Sequence, residues 1–404
     1  MNASTVQASI NQTRFMVSVG LGLFATMSTS LMLAPLLVAM AADFDTSVSV
    51  AGQLNTVTFA AWGFSVVSVG PLSDSFGRRP VALIGLTLLA VSVLASAFAP
   101  NIGTLMALRV ISGLGGGMIP PNSMAAVADS LPPERRARAV GALVAFTSLS
   151  SVIGVPLVAV VADAGGWRVP FLVIGSMLAA CAVLNWFWFP RGAAVREGGG
   201  LRSFSFFSRY KALLAIPMFR ALLVANFAQR TAYMALFSYL ATYLIDSYDT
   251  SIGAVALPLA FVGIGTVVGS YAGGIVANRH DRMPLIAMSA IAGGVAASLL
   301  FALDLPLWLA VAIATVSITL FTVPFTVLLA VSTQVSSQSR ATGVGLLGIS
   351  NQTGAVGGAA LGGVLLASSG FPGIGYLCLG VTAFSTVIII LFMRQSESGH
   401  SWRS

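Results

Sequence analysis

Arg109 and Arg230 are each a lone positive charge inside a long apolar stretch, and neither stretch holds an acidic residue. A guanidinium at such depth is costly and normally faces a protein interior or a water-filled path. Its chemistry there is recognition: a planar fork of N–H donors suits a carboxylate or a phosphate. Near Arg230 stand Asn226, Gln229 and Tyr233. Further polar residues interrupt other apolar stretches at comparable depth, namely Ser28, Thr322, Asn351 and Gln352. These types can bind a small molecule, although each can equally bridge two helices. Reaction chemistry is not visible. No His, Asp, Glu or Cys residues cluster at one depth, and both histidines, His280 and His400, lie outside the apolar stretches. No phosphate-binding Gly-rich loop with Lys-Ser/Thr is present, which argues against ATP drive. The residues predict neither an enzyme nor a metal or cofactor site.

The elements that carry these residues follow from composition. Of 404 residues, 57% are hydrophobic and 8% charged, against about 25% charged in a soluble domain. Such a chain predicts an integral membrane protein. The net charge of +8 sits in short loops, so it speaks to topology and not to nucleic acid. Runs of about 20 apolar residues, enough to cross the hydrocarbon, fall at 15–41, 50–72, 80–99, 102–125, 138–163, 167–189, 219–245, 252–277, 284–303, 306–331, 341–366 and 371–393. The first exceeds the 7–15 residues of a signal-peptide apolar region and is read as a retained helix. Cys181 and Cys378 each lie within a span and are expected to be free buried thiols.

Twelve spans with a cytoplasmic N-terminus place Arg78, Arg79, Arg135, Arg136, Arg138, Arg279, Arg282 and Arg340 inside, and leave only Arg168 outside. That asymmetry is the positive-inside pattern, and adding or removing one span would reverse it. The longest break, 191–218, separates a bundle at 1–190 from a bundle at 219–404. The halves repeat: Arg138-Ala-Val-Gly141 recurs as Arg340-Ala-Thr-Gly343, and Gly70-x-x-x-Asp74 as Gly274-x-x-x-Asn278. Matching polar positions at nearly equal offsets, 202 and 204 residues, indicate a duplicated six-helix unit. The expected class is an all-α membrane protein of twelve transmembrane helices in two pseudo-symmetric six-helix bundles.

Between the second and third spans the sequence reads Gly70-Pro-Leu-Ser-Asp74-Ser-Phe-Gly77-Arg78-Arg79. With the twelve spans and the two-half repeat, this resembles the major facilitator superfamily, and within it the twelve-helix drug and metabolite efflux group, the arabinose-efflux-like permeases. Gly70 and Gly77 permit close approach and a sharp turn, and Arg78 can pair with Asp129 at the end of the fourth span. The resemblance implies that Gly70, Asp74, Gly77, Arg78, Arg79 and Asp129 latch the cytoplasmic side. A loop that merely fixes topology is the alternative. Asn278 replaces Asp74 in the second copy, which predicts a weaker latch there.

Arg109-x-x-x-Gly113-x-Gly115-x-Gly117 matches a second family motif, whose arginine is tied to proton coupling. Spacing by four places Arg109, Gly113 and Gly117 on one face. The family often has Gln where this chain has Ser112. Gly154-Val155-Pro156 in the fifth span matches the antiporter motif only in part, and Pro156 predicts a kink. In the implied fold the substrate sits between the halves, lined by Ser28, Asn226, Gln229, Arg230, Tyr233, Thr322, Asn351 and Gln352. The implied activity is export of a small organic molecule, a drug or a metabolite, by alternating access, with proton antiport inherited from the resemblance. No carboxylate or histidine lies mid-span, so uniport or exchange of an organic anion stays open, as does a non-transporting sensor. Expected partners are the small-molecule substrate, protons and membrane lipid, in a monomer of the bacterial inner membrane with both termini cytoplasmic.

Overall fold

The computed structural model describes residues 3–190, 211, 213–279, 281–335 and 340–398, and at 3–11, 71, 74, 128, 133, 134, 137, 333, 335, 340–342 and 392–398 it describes the backbone only. Most of the break at 191–218, with Arg191, Arg196, Arg202 and Arg209, lies outside the described residues, as do His280 and His400.

Among the described residues the elements are helical throughout: α1 Ala3–Leu31, α2 Leu37–Asp43, α3 Val48–Phe76, α4 Arg78–Ser96, α5 Ile102–Ser130, α6 Pro133–Leu149, α7 Val155–Gly165, α8 Arg168–Trp188, α9 Pro217–Tyr248, α10 Ala256–Ala277, α11 Arg282–Ala302, α12 Leu307–Val335 and α13 Arg340–Ser398. An apolar chain in lipid must satisfy each backbone N–H and C=O within its own segment, which the α-helix does. Nine described segments are long and apolar enough to cross a membrane, and one of them, 343–391, contains two such helices. The protein is a multi-pass, all-α membrane protein.

Three spans are less regular than their apolar runs suggest. The first is broken by a 3-10 turn, Ala34–Leu36, because Pro35 has no N–H to continue the α pattern. In the fifth, α6 and α7 are joined by a π-turn, Ser150–Gly154. Pro156, two residues later, cannot serve the carbonyl four residues back, and the widened turn absorbs that misfit. The last two spans run together as α13, broken only at Gly370, where φ is 66°.

The second-to-third connection also differs from expectation. Gly70 and Asp74 lie on the last turns of α3, and the connection is the single residue Gly77, with φ 92° and ψ 154°. Only glycine adopts that conformation without strain. The close approach expected at Gly70 is not there: a Cβ would meet no atom within 4 Å.

The chain divides into two compact units, residues 1–47, 57–203 and 251–260, and residues 48–56, 204–250 and 261–404. Each is held by small residues that let backbones touch, as expected where lipid removes most of the hydrophobic drive between helices. In the first unit a Cβ on Gly115 would lie 2.8 Å from the Gly85 carbonyl oxygen, and one on Gly117 would lie 2.7 Å from that of Trp62. In the second, α9 meets α13 along Gly354, Gly358 and Gly362, and α10 meets α12 along Gly265, Gly269 and Gly273. Cys181 and Cys378 are free and buried.

Candidate functional site

The residues of the second-to-third connection form a hydrogen-bonded cluster. Arg78 Nε donates to Asp129 Oδ2 at 3.0 Å, and its Nη1 donates to Ser73 Oγ at 2.7 Å. Ser73 Oγ bonds Asn122 Oδ1 at 2.5 Å, and Asn122 Nδ2 returns to the Arg78 carbonyl at 2.8 Å. The Arg78–Asp129 pairing expected from sequence is present, with Asp129 half exposed. Ser73 and Asn122 are participants that the sequence reading missed. Arg79 turns away from this cluster: Nη2 donates to the Trp186 carbonyl at 2.5 Å, and its guanidinium lies 5.1 Å from the Trp186 ring. The side chain of Asp74 lies outside the described residues.

Among the described residues, the second copy shows no ion pair to Arg282. Arg282, 204 positions after Arg78 in the chain, donates to the Ala277 carbonyl at 3.2 Å and to Gln334 Oε1 at 3.0 Å. Asn278 bonds back to the Gly274 carbonyl of its own helix at 3.2 Å. Neutral acceptors hold an arginine less strongly than a carboxylate does.

Arg109 is fully buried. Gly113 and Gly117 do not share its surroundings as their spacing suggested. Both glycines press on α3, at Thr58, Ala61, Trp62 and Ser65. The guanidinium instead lies among residues of α4, α5 and α8: Nη2 donates to Ser112 Oγ at 2.9 Å and to Ser96 Oγ at 3.4 Å, and the group sits 5.2 Å from the Phe171 ring. The long side chain thus leaves the glycine face. Nε and Nη1 have no hydrogen-bond partner, and none of the acceptors is a carboxylate. Ser92 and Ser96 are four apart in an otherwise apolar helix, which was the available signal for this cage.

The residues expected to line a cavity fall into two groups. Ser28 and Thr322 are helix-packing residues. Ser28 lies against Gly154 of the π-turn. Thr322 donates to the Ile318 carbonyl of its own helix at 2.8 Å and packs on Gly269. Each packs opposite a glycine, and Ser28 Oγ, buried there, has no hydrogen-bond partner among the described residues. Gly154 therefore serves this close approach, and Pro156 sits in the first turn of α7.

The others gather where α9 meets α13. Asn226 Nδ2 reaches Ser350 Oγ at 3.2 Å, and Gln229 Nε2 reaches Ser385 Oγ at 3.0 Å. Both amides are buried helix bridges, yet Asn226 Oδ1 and Gln229 Oε1 find no partner. Arg230 packs its Cβ toward Gly354 and its guanidinium 4.8 Å from the Tyr233 ring, and its buried Nε has no acceptor. Tyr233 is stacked on Phe237 at 5.8 Å and 5°. Asn351, one turn before Gly354, also has an unpartnered Oδ1, and Gln352 is buried beside it. Buried polar groups are normally satisfied. Asn226 Oδ1, Gln229 Oε1, Arg230 Nε and Asn351 Oδ1 depart from that rule among the described residues.

The profile of the Major Facilitator Superfamily matches residues 19–343. The chain belongs to that superfamily. It is similar to the uncharacterised MFS-type transporter YceJ of Bacillus subtilis (strain 168), 24% identical over 92% of each chain. It is also similar to the inner membrane transport protein YdhP of Escherichia coli (strain K12), 25% identical over 65% of this chain and 66% of that one. Among solved structures, a bacterial homolog to the human lysosomal transporter Spinster, in an inward-facing and occupied conformation, superposes with a TM-score of 0.71 at 17% identity, covering 97% of this chain and 95% of that one. This superfamily member is a transporter, not an enzyme.

Proposed function

We propose that this transporter exports a small organic molecule from the bacterial cytoplasm by alternating access, and that Arg230 recognises an anionic group on it. The observation that carries this reading is the group of unpartnered polar atoms on Arg230, Asn226, Gln229 and Asn351. The Arg230 fork is backed by the Tyr233 and Phe237 rings, so the site favours a carboxylate or phosphate attached to an apolar body. Reconstitution tests it. Proteoliposomes holding the protein should transport benzoate faster than tetraphenylphosphonium; absence of any protein-dependent flux across an export panel would sink the reading.

Proton antiport is the coupling that the family resemblance implies, with Arg109 as its coupling residue. Exchange of organic anions is the second reading. It is favoured because every Asp and Glu among the described residues lies near a helix end or in a connection. Flux that responds to an imposed pH gradient supports antiport. Flux that needs substrate on the far side, indifferent to pH, supports exchange.

Gly70, Asp74, Gly77, Arg78, Arg79 and Asp129 form the gate in this reading, with both termini cytoplasmic and the protein acting as a monomer. The Arg78–Asp129 ion pair, with no counterpart at Arg282 among the described residues, supports a gate that is stronger in the first half. Asp74→Asn is expected to slow transport about tenfold, the worth of one charge-assisted hydrogen bond, while leaving thermal unfolding unchanged. Wild-type rates in that variant would remove the gating role.

A further inference from the structure

A cavity of about 620 Å³ opens in the first unit, and none of the residues expected to meet substrate lines it. Its wall comes from three helices: Gln12, Arg14 and Phe15 within α1, Ser130 at the end of α5 with Leu131 and Pro132 after it, and Phe187 to Pro190 at the end of α8. Phe15 and Phe189 pack edge to face at 5.1 Å and form the apolar floor. The rim is cationic. The Arg14 guanidinium lies 5.9 Å from the Trp188 ring and has no carboxylate partner among the described residues. Arg136 is tied to the wall by an Nε bond of 2.9 Å to the Leu131 carbonyl. Of the two nearby carboxylates, Asp129 is engaged by Arg78, and the side chain of Glu134 lies outside the described residues.

Beside the cavity, Arg79 repeats the arginine-on-tryptophan arrangement with Trp186, and Trp186 and Phe187 are exposed at 55% and 69%. Tryptophan with arginine in this pattern marks the level of lipid headgroups. An apolar floor beside a rim whose Arg14 and Arg136 have no ion pair among the described residues fits, at that level, an amphiphile with a negative head. Basic pockets between helices at such an edge hold anionic headgroups.

We infer that the cavity bounded by Arg14, Leu131, Phe187 and Trp188 is a binding site for one anionic phospholipid, its phosphate against Arg14 and Arg136 and its acyl chains over Phe15 and Phe189. The site is separate from the transport reading, and its test does not require transport.

The test is native mass spectrometry of the detergent-purified full chain titrated with dioleoyl phosphatidylglycerol or dioleoyl phosphatidylethanolamine. Wild type should retain one phosphatidylglycerol in preference to phosphatidylethanolamine. Arg14→Gln should weaken phosphatidylglycerol binding about fivefold, the worth of one basic residue near an anionic surface. Arg279→Gln, an exposed arginine of the second unit paired with Asp281, should leave binding unchanged. Equal binding of the two lipids, or equal loss in both variants, overturns the site. Residues 191–210 follow Pro190 directly and lie outside the described residues, so a Phe187→Cys, Val195→Cys pair supplies a second readout. Disulfide formation that phosphatidylglycerol suppresses supports the lipid; complete cross-linking at saturating lipid assigns the cavity to the chain itself and overturns it.

Discussion

Arg109→Met is expected to raise the thermal unfolding temperature by a few degrees while reducing transport at least a hundredfold. A buried charge without a counter-charge is destabilising, and replacing buried ionic groups by apolar ones of similar volume gains about 1–4 kcal/mol. The surroundings of Arg109 allow that gain. Ser112 Oγ donates to the Leu108 carbonyl at 3.0 Å, Ser96 Oγ to that of Ser92 at 2.7 Å, and Ser92 Oγ to that of Leu89 at 3.0 Å. None of the three hydroxyls is orphaned when the guanidinium leaves, and two orphan donors of Arg109 disappear with it. A residue retained against its own cost is retained for what it does. Differential scanning fluorimetry and vesicle flux on one preparation check both halves. A fall in unfolding temperature would mean that Arg109 holds the fold, and the coupling role would be lost.

Arg230→Ala is expected to weaken binding of an organic anion by roughly ten- to a hundredfold, the equivalent of about 1.5–3 kcal/mol for hydrogen bonds to a charged group. Binding of an organic cation should not change. Arg230→Lys keeps the charge but loses the planar fork, so it should fall between the two. Titration calorimetry with benzoate and with tetraphenylphosphonium separates the cases. Equal loss for both compounds would place Arg230 in the packing of α9 against α13, alongside Asn226 and Gln229.

The two arginines illustrate how far sequence reached. Charge inside an apolar run is visible without structure, and so both were found. The direction of each side chain was not visible. Gly113 and Gly117 share a face with Arg109 by spacing, but its long stem carries the guanidinium to Ser96 on α4 and Phe171 on α8. Ser28 and Thr322 read as cavity residues and proved to fill the space opposite Gly154 and Gly269. Asn226 and Gln229 read the same way and proved to bridge α9 to α13. In a soluble helix the apolar stripe tells which side faces the core. A lipid-facing helix is apolar on its outer side too, so that cue is missing and the facing must come from packing.

What the sequence determined by itself is the class: apolar runs long enough to span, arginines segregated to alternate connections, a repeat at nearly equal offsets, and the Gly77-Arg78-Arg79 turn with its partner Asp129. These are properties of composition and order along the chain, and hydration energies make them decisive wherever the helices later pack. Tertiary structure alone decided which polar atoms are satisfied. Ser73 and Asn122 close around Arg78, Ser96 and Ser112 accept from Arg109, and the amides of α9 turn to α13. Hydrogen bonding and glycine contacts act over a few ångströms between residues as many as 167 apart in the chain, and no local pattern encodes such a pairing.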